Sequence, residues 1–397
     1  MSYKKRRCFR RGISIFSILS FVSVMISGCS DSGASFLQEY GTVADNNEEE
    51  NAADSLDAAF NDVADSETLD EAGIYVNTKE TITVGFSQIG AESDWRLACT
   101  NSIVSAFTAE NGYNLIYDDA QQKQENQFKA IREFIDQDVD YIILDPIVET
   151  GWEGALLEAK EADIPVIIVD RKVSVEDESL YTAWVGADFY LEGERACAWL
   201  SAYLDKKGID KEVGIIDIQG TLGASAQIGR SKALEDAVNA HDNWTLLAAE
   251  SGDFVKAKGR EVMEQMIEEF GYKIDVVYCE NDNEAYGAIE ALKDAGFNIG
   301  NDIVNGDVMI ISFDSTKEGL LLTLDGTIAV DTECNPLYGP VLTQTIACLE
   351  NDTKFQKESY VLESQFSADR TVYSTRIDGN TYKVTILSQE IIDQRVY

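Results

Sequence analysis

The sequence predicts an α/β protein built from two doubly wound domains of parallel sheet. Three observations carry the expectation. Short apolar runs rich in Val and Ile, of which "PVIIVD" (Pro165–Asp170) is the clearest, read as strands buried on both faces. From Lys79 onward such runs alternate with amphipathic helical stretches, the pattern of parallel sheets with right-handed crossovers. The alternation then starts afresh, and 397 residues are too many for one small core.

In chain order, "ITVGFSQ" is followed by an amphipathic stretch through "SIVSAFTAENG". "NLIYDDA" precedes "NQFKAIREFIDQ", and "YIILDP" precedes "WEGALLEAKEAD". After "PVIIVD" come "TAWVGAD" and a long helix over "LEGERACAWLSAYLDKKG". The second series begins at "VGIIDIQG" and "SAQIGRSKALEDAVNAH", then "WTLLAAESGD" and "GREVMEQMIEEFG". It continues through "IDVVYCEND", "EAYGAIEALKDAG", "DVMIISFD" and "KEGLLLTLDG". The following segment, "KESYVLESQFSADRTVYSTRIDGNTYKVTILSQE", is strand-like without an assignable place.

The amino-terminal part reads differently. "MSYKKRRCFRRG" is a basic n-region and "ISIFSILSFVSVMIS" an apolar run of h-region length, together an export signal over residues 1–29. It ends in Ile26-Ser27-Gly28-Cys29, similar to the lipobox of bacterial lipoproteins, which implies acylation of Cys29 and a lipid anchor. An uncleaved amino-terminal anchor is the alternative; either places the body outside the cytoplasm, on the outer face of the cell membrane. Residues 30–79 are acidic and poor in large apolar residues, as expected of a disordered tether.

Composition excludes several functions. With 71 acids against 32 bases the formal charge is −39, so the basic footprint of a nucleic-acid binder is missing. Cys99, Cys197, Cys279, Cys334 and Cys348 are widely spaced and odd in number, which points to free thiols and not to zinc or a disulfide framework. The single histidine, His241, ends a helical pattern and reads as a surface residue. No phosphate-binding loop follows a strand, and neither a nucleophile nor a general base has motif support. Neither an enzyme, a cofactor nor a metal is expected.

Polar residues recur at the carboxyl ends of the apolar strands: Asp118-Asp119, Asp145, Asp170-Arg171, Asp188, Asn281-Asp282 and Asp314. Open α/β sheets bind ligands at that edge. Acids there also cap helices, and Asp118 and Asp145 are read that way. Trp95, between Glu92 and Arg96 in "GAESDWR", is a large aromatic at a loop-to-helix junction, and Phe254 in "SGDFVKAKG" follows another strand. Aromatic faces pack on the C–H faces of sugars while charged neighbours bind hydroxyls; for Trp95 the competing role is core packing. Arg171 and Arg230 are notable because bases are scarce, and a five-donor guanidinium suits a polyol beside Asp170 or Asn281. A structural Asp170–Arg171 ion pair is the rival reading.

"VGFSQIGAESDWR", "DDAQQKQENQFKAIREFI", "DPIVETGWEGALLEAKEADIPVIIVDR", "DIQGTLGASAQIGR" and "SGDFVKAKGREVME" together resemble the galactofuranose-binding branch of the ribose-type periplasmic sugar-binding proteins of ABC importers. The likeness runs from about Thr81 to about Gly339. It implies two Rossmann-like lobes with a three-strand hinge, the type I periplasmic binding protein fold. The expected lobes are residues 80–186 with 334–362, and 187–333 with 363–397. By motif, Glu92, Trp95, Arg96, Asp170 and Arg171 would hold a sugar from the first lobe. Arg230, Phe254, Asn281 and Asp314 would hold it from the second, with Asp188 at the hinge or rim. Glu333, in "DTECNP" at the last crossover, would contact the ligand or brace the hinge. The resemblance implies a monomeric receptor that delivers a monosaccharide, such as galactofuranose, arabinose or a similar pentose or hexose, to an ABC permease. A sugar-sensing subunit feeding a membrane histidine kinase or chemoreceptor is the alternative.

Overall fold

The computed structural model describes residues 81–397; the export signal, Cys29 and the tether lie outside the described residues. The chain first lays down β1 (Ile82–Gln88), α1 (Asp94–Ala106), β2 (Tyr113–Asp119), α2 (Gln124–Asp136), β3 (Tyr141–Leu144), α3 (Glu153–Glu161), β4 (Val166–Val169) and β5 (Ala183–Gly186). β3 and β4 are buried at every position, the state their unbroken apolar runs require when helices cover both faces. α2 buries Gln127, Ala130, Ile131 and Phe134, one face at 3- and 4-residue spacing.

The chain then crosses over through Ala187–Asp188 into α4 (Phe189–Lys207). Asp188 caps this helix, accepting from Leu191 N–H, and Gly208 ends it in the left-handed region, with Lys206 and Lys207 in the last turn. The second series follows: β6 (Val213–Gln219), α5 (Ser225–Ala240), β7 (Trp244–Ser251), α6 (Lys256–Phe270), β8 (Val276–Cys279), α7 (Asp282–Asp294), β9 (Asn298–Ile299), β10 (Asp307–Asp314), α8 (Lys317–Leu324) and β11 (Val330–Glu333). A second crossover at Cys334–Tyr338 returns the chain to α9 (Gly339–Glu350) and β12 (Glu358–Tyr360). α9 packs on α1, with Leu342 and Ile346 in the same apolar cluster as Cys99 and Ile103.

The third crossover, at Val361–Ser364, leads to β13 (Gln365–Ser367), β14 (Ser374–Ile377), β15 (Asn380–Lys383), β16 (Thr385–Ile386) and α10 (Gln389–Asp393). The strand-like final segment thus finds its place. β12 extends the first sheet, giving the order β12-β5-β4-β3-β1-β2, and β13 and β16 extend the second, β16-β13-β11-β10-β8-β6-β7. β13 pairs antiparallel with β11 because the chain re-enters directly from β12 with no crossover helix to turn it round. β14 and β15 form a hairpin turning at Asp378-Gly379, both at positive φ, and the hairpin rests on α4. The result is two doubly wound α/β lobes joined by three crossovers. Strand order reverses beside β1 in one sheet and beside β6 in the other, and the crevice at those carboxyl ends lies between the lobes.

Candidate functional site

Nine of the ten residues expected to bind a sugar line one narrow interlobe cavity, with about 20 Å³ open to the centre of a water-sized sphere. Glu92, Trp95, Arg96, Asp170 and Arg171 come from the first lobe, and Arg230, Phe254, Asn281 and Asp314 from the second. Ser93, Phe189, Ala226 and Cys334 complete the lining. Phe189 carried the same signal as Trp95, an aromatic just past a strand exit. Cys334 carried no such signal.

The first-lobe wall is organised by Arg96. Ser93 caps α1 by accepting from Arg96 N–H at 3.1 Å, which sets the residue in the first helical turn. Its guanidinium then meets three carboxylates: Glu92 at 2.9 Å, Asp170 at 2.9 Å, and Asp145 in a still closer contact. Asp145 is therefore no helix cap; it is a fully buried counter-charge beneath the site. Asp118, also read as a cap, lies half-buried on edge strand β2. Burial opposes the charge on Glu92, but Arg96 and Arg171 hold its carboxyl below the ordinary glutamate value. Its Oε2 is buried and has no hydrogen-bond partner among the described residues.

Asp170 and Arg171 form no ion pair. Asp170 accepts from Arg96 and, at 3.3 Å, from the Tyr338 hydroxyl. Arg171 donates through Nη1 to the Ile147 carbonyl at 2.6 Å and lies over the Phe254 ring at 5.3 Å. No other hydrogen bond from its guanidinium is made among the described residues, although only 2% of the residue is exposed. Burial and the neighbouring Arg96 pull its pKa down. A buried cation facing a cavity with unused donors is a strong attractor for oxygen atoms.

Trp95 reaches across the hinge, its indole Nε1 donating to the Cys334 carbonyl at 2.6 Å, and its ring meets Tyr338 edge-on. In the second lobe Arg230 donates to Glu192 at 2.7 Å and to the Glu280 carbonyl, lies between the Phe189 and Phe313 rings, and approaches Asp314 at 3.8 Å. Burial pushes the Asp314 carboxyl well up, against the pull of Arg230. Asn281 caps α7 by accepting from Glu284 N–H at 2.8 Å and steadies Phe254 through its carbonyl at 3.2 Å. The Phe254 ring fits because residue 220 is glycine: a Cβ there would lie 1.9 Å from the ring.

Asp170, Phe254 and Asp314 all adopt positive φ, an uncommon conformation for such side chains that aims them from their strand exits into the crevice.

Of the two roles expected of Glu333, ligand contact and hinge brace, its contacts fit the second. It does not line the cavity; its carboxylate accepts from Arg395, Tyr397 and Ser364 N–H, so it braces the crossovers. His241 ends α5, stacked on Trp244 and bonded to Ser201, remote from the crevice. Among the described residues the one grouping with metal-ligand character is Glu192, Cys334 and Glu363. Arg230 already supplies its cation at Glu192, and burial pushes both carboxyls up, which suits a shared proton better than an ion.

Residues 84–333 match the family model described as the periplasmic binding protein domain. The chain belongs to the periplasmic binding protein family. Within it, the galactofuranose-binding protein YtfQ of Escherichia coli (strain K12) is 40% identical over 295 residues, 74% of this chain and 87% of that protein. A Mycobacterium smegmatis structure in complex with β-D-fucofuranose superposes with a TM-score of 0.69 at 37% identity, over 73% of this chain and 93% of that one. The binding protein of the arabinose ABC transporter from Shewanella sp. ANA-3, bound to α- and β-L-arabinofuranose, gives 0.66 at 36% identity over the same shares.

Proposed function

We propose that this protein is the extracytoplasmic, lipid-anchored receptor of an ABC-type sugar importer, and that its lobes close over one monosaccharide in the interlobe cavity. The moving bodies are residues 80–186 with 334–362 and 187–333 with 363–397. Glu92, Trp95, Arg96, Asp170 and Arg171 grip the sugar from one side, and Arg230, Phe254, Asn281 and Asp314 from the other.

The observation that carries this reading is the balance of the lining. Three buried guanidinium groups face three carboxyl groups around one small cavity, between the Trp95, Phe189 and Phe254 rings. An anion would meet Glu92, Asp170 and Asp314, and a cation would meet the arginines. A neutral polyol uses donors and acceptors together while its C–H faces lie on the aromatic walls. A relative named for galactofuranose and two similar structures bound to fucofuranose and arabinofuranose favour a furanose ring.

Residues 80–397 titrated with galactofuranose, galactose, arabinose, ribose, xylose and glucose test the proposal by thermal shift and tryptophan fluorescence. One sugar at about a hundred times its Kd should add roughly 2.7 kcal/mol of stability. A folded protein that responds to none of them sinks it.

A further inference from the structure

We propose that Arg395 and Tyr397 are positioning residues of the sugar site, fastening from behind the two chain segments that carry Asp314 and Cys334. The inference rests on the sugar-binding reading above and gives a role to the segment beyond α10.

Neither side chain lines the cavity. Arg395 uses its fork to join two places: Nη2 donates to the Ser315 carbonyl at 2.8 Å and Nη1 to Glu333 Oε1 at 2.5 Å. The Tyr397 hydroxyl donates to the same Oε1 at 2.7 Å. Glu333 Oε2 accepts from Ser364 N–H, at 2.7 Å, in the third crossover. Each fastened residue lies one position from a cavity wall, Ser315 just after Asp314 and Glu333 just before Cys334. One guanidinium and one carboxylate therefore tie the β10 exit to the second and third crossovers.

The joint has something to hold. Asp314 and Ser315 take φ of 101° and 55°, conformations that persist for such residues only where the surroundings over-determine them. Among the described residues the Asp314 carboxylate has only a loose 3.8 Å approach to Arg230, so its aim depends on the backbone beneath it. Cys334 in turn accepts the Trp95 indole, so a shift there also moves the aromatic wall of the opposite lobe. The brace is built in: Arg395 lies over the Phe366 and Tyr397 rings, at 5.5 and 4.2 Å.

The test uses the full chain and the panel sugar that it binds. In Arg395→Ala the Kd should rise about tenfold, mostly through faster dissociation. Arg395→Lys keeps a charge for Glu333 but lacks the second arm for Ser315, and should recover only part of the loss. Tyr397→Phe should weaken binding a few-fold. The penalty of Asp314→Asn should shrink in the Arg395→Ala background, since a misaimed carboxylate has less to lose. A merely structural role would lower Tm and leave Kd at 25 °C, and the Asp314→Asn penalty, unchanged. If Arg395→Ala does not fold, the Lys and Phe variants decide, and a Kd within twofold of wild type in both overturns the inference. A folded wild type that binds no sugar overturns the reading of the site itself, and the brace with it.

Discussion

Asp170 and Arg171 are neighbours in sequence yet form no ion pair with each other: the acid pairs with Arg96 and the base turns to the Ile147 carbonyl. The wall therefore holds one arginine in direct contact with three carboxylates and another that feels them only at longer range. Substitutions at the two should behave differently.

Arg171→Ala removes a buried cation that makes no direct ion pair among the described residues, so folding should survive with Tm little changed. Sugar affinity should fall by about 10- to 100-fold, the equivalent of one charge-assisted hydrogen bond worth about 1.5–3 kcal/mol. Calorimetric titration beside a melting curve checks it; unchanged affinity removes Arg171 from the site.

Arg96→Met should act on stability first. It strips Glu92, Asp145 and Asp170 of their shared cation in a buried setting, at a cost of about 3–5 kcal/mol. Urea unfolding at pH 7 measures the loss. Acidification should return part of it, because carboxyls left unpaired take up protons more readily. A variant as stable as wild type at pH 7 contradicts the ion cluster.

Gly220→Ala tests the seat of Phe254. The new methyl would meet the ring at 1.9 Å, so the ring must leave its position over Arg171. Affinity should fall about tenfold with a smaller change in Tm. Retained affinity would show that the Phe254 ring is not a wall of the site.

Stability should fall between mildly acidic and mildly alkaline pH through Asp217. Burial pushes its carboxyl up to about 8, far above an ordinary aspartate, with no cation beside it. The folded state thus binds a proton that the unfolded chain releases near pH 4. The stabilisation is complete below that value and is lost as pH rises through about 8. Asp282, pushed up to about 6, adds the same sign lower in the range. Asp217→Asn, neutral at every pH, should flatten the decline in Tm between pH 5 and 8, each 1 kcal/mol showing as about 2–4 °C. An equal slope in both proteins would refute the assignment.

By itself the sequence determined the two-lobed α/β architecture, because apolar strands such as β3 and β4, buried on both faces, alternate with amphipathic helices in two successive series. It also determined which strand exits carry polar and aromatic side chains, since turn, cap and ligand chemistry are written locally. Only the tertiary structure decided which charges meet. Asp145 resembled a helix cap and lies under Arg96, 49 residues away. Glu333 read equally as a ligand contact or a hinge brace, and what separates the two is Arg395 and Tyr397, more than 60 residues on. Those pairings depend on distance in space, which residue spacing does not encode, and on burial, which turns a neighbouring charge from a weak influence into a decisive one.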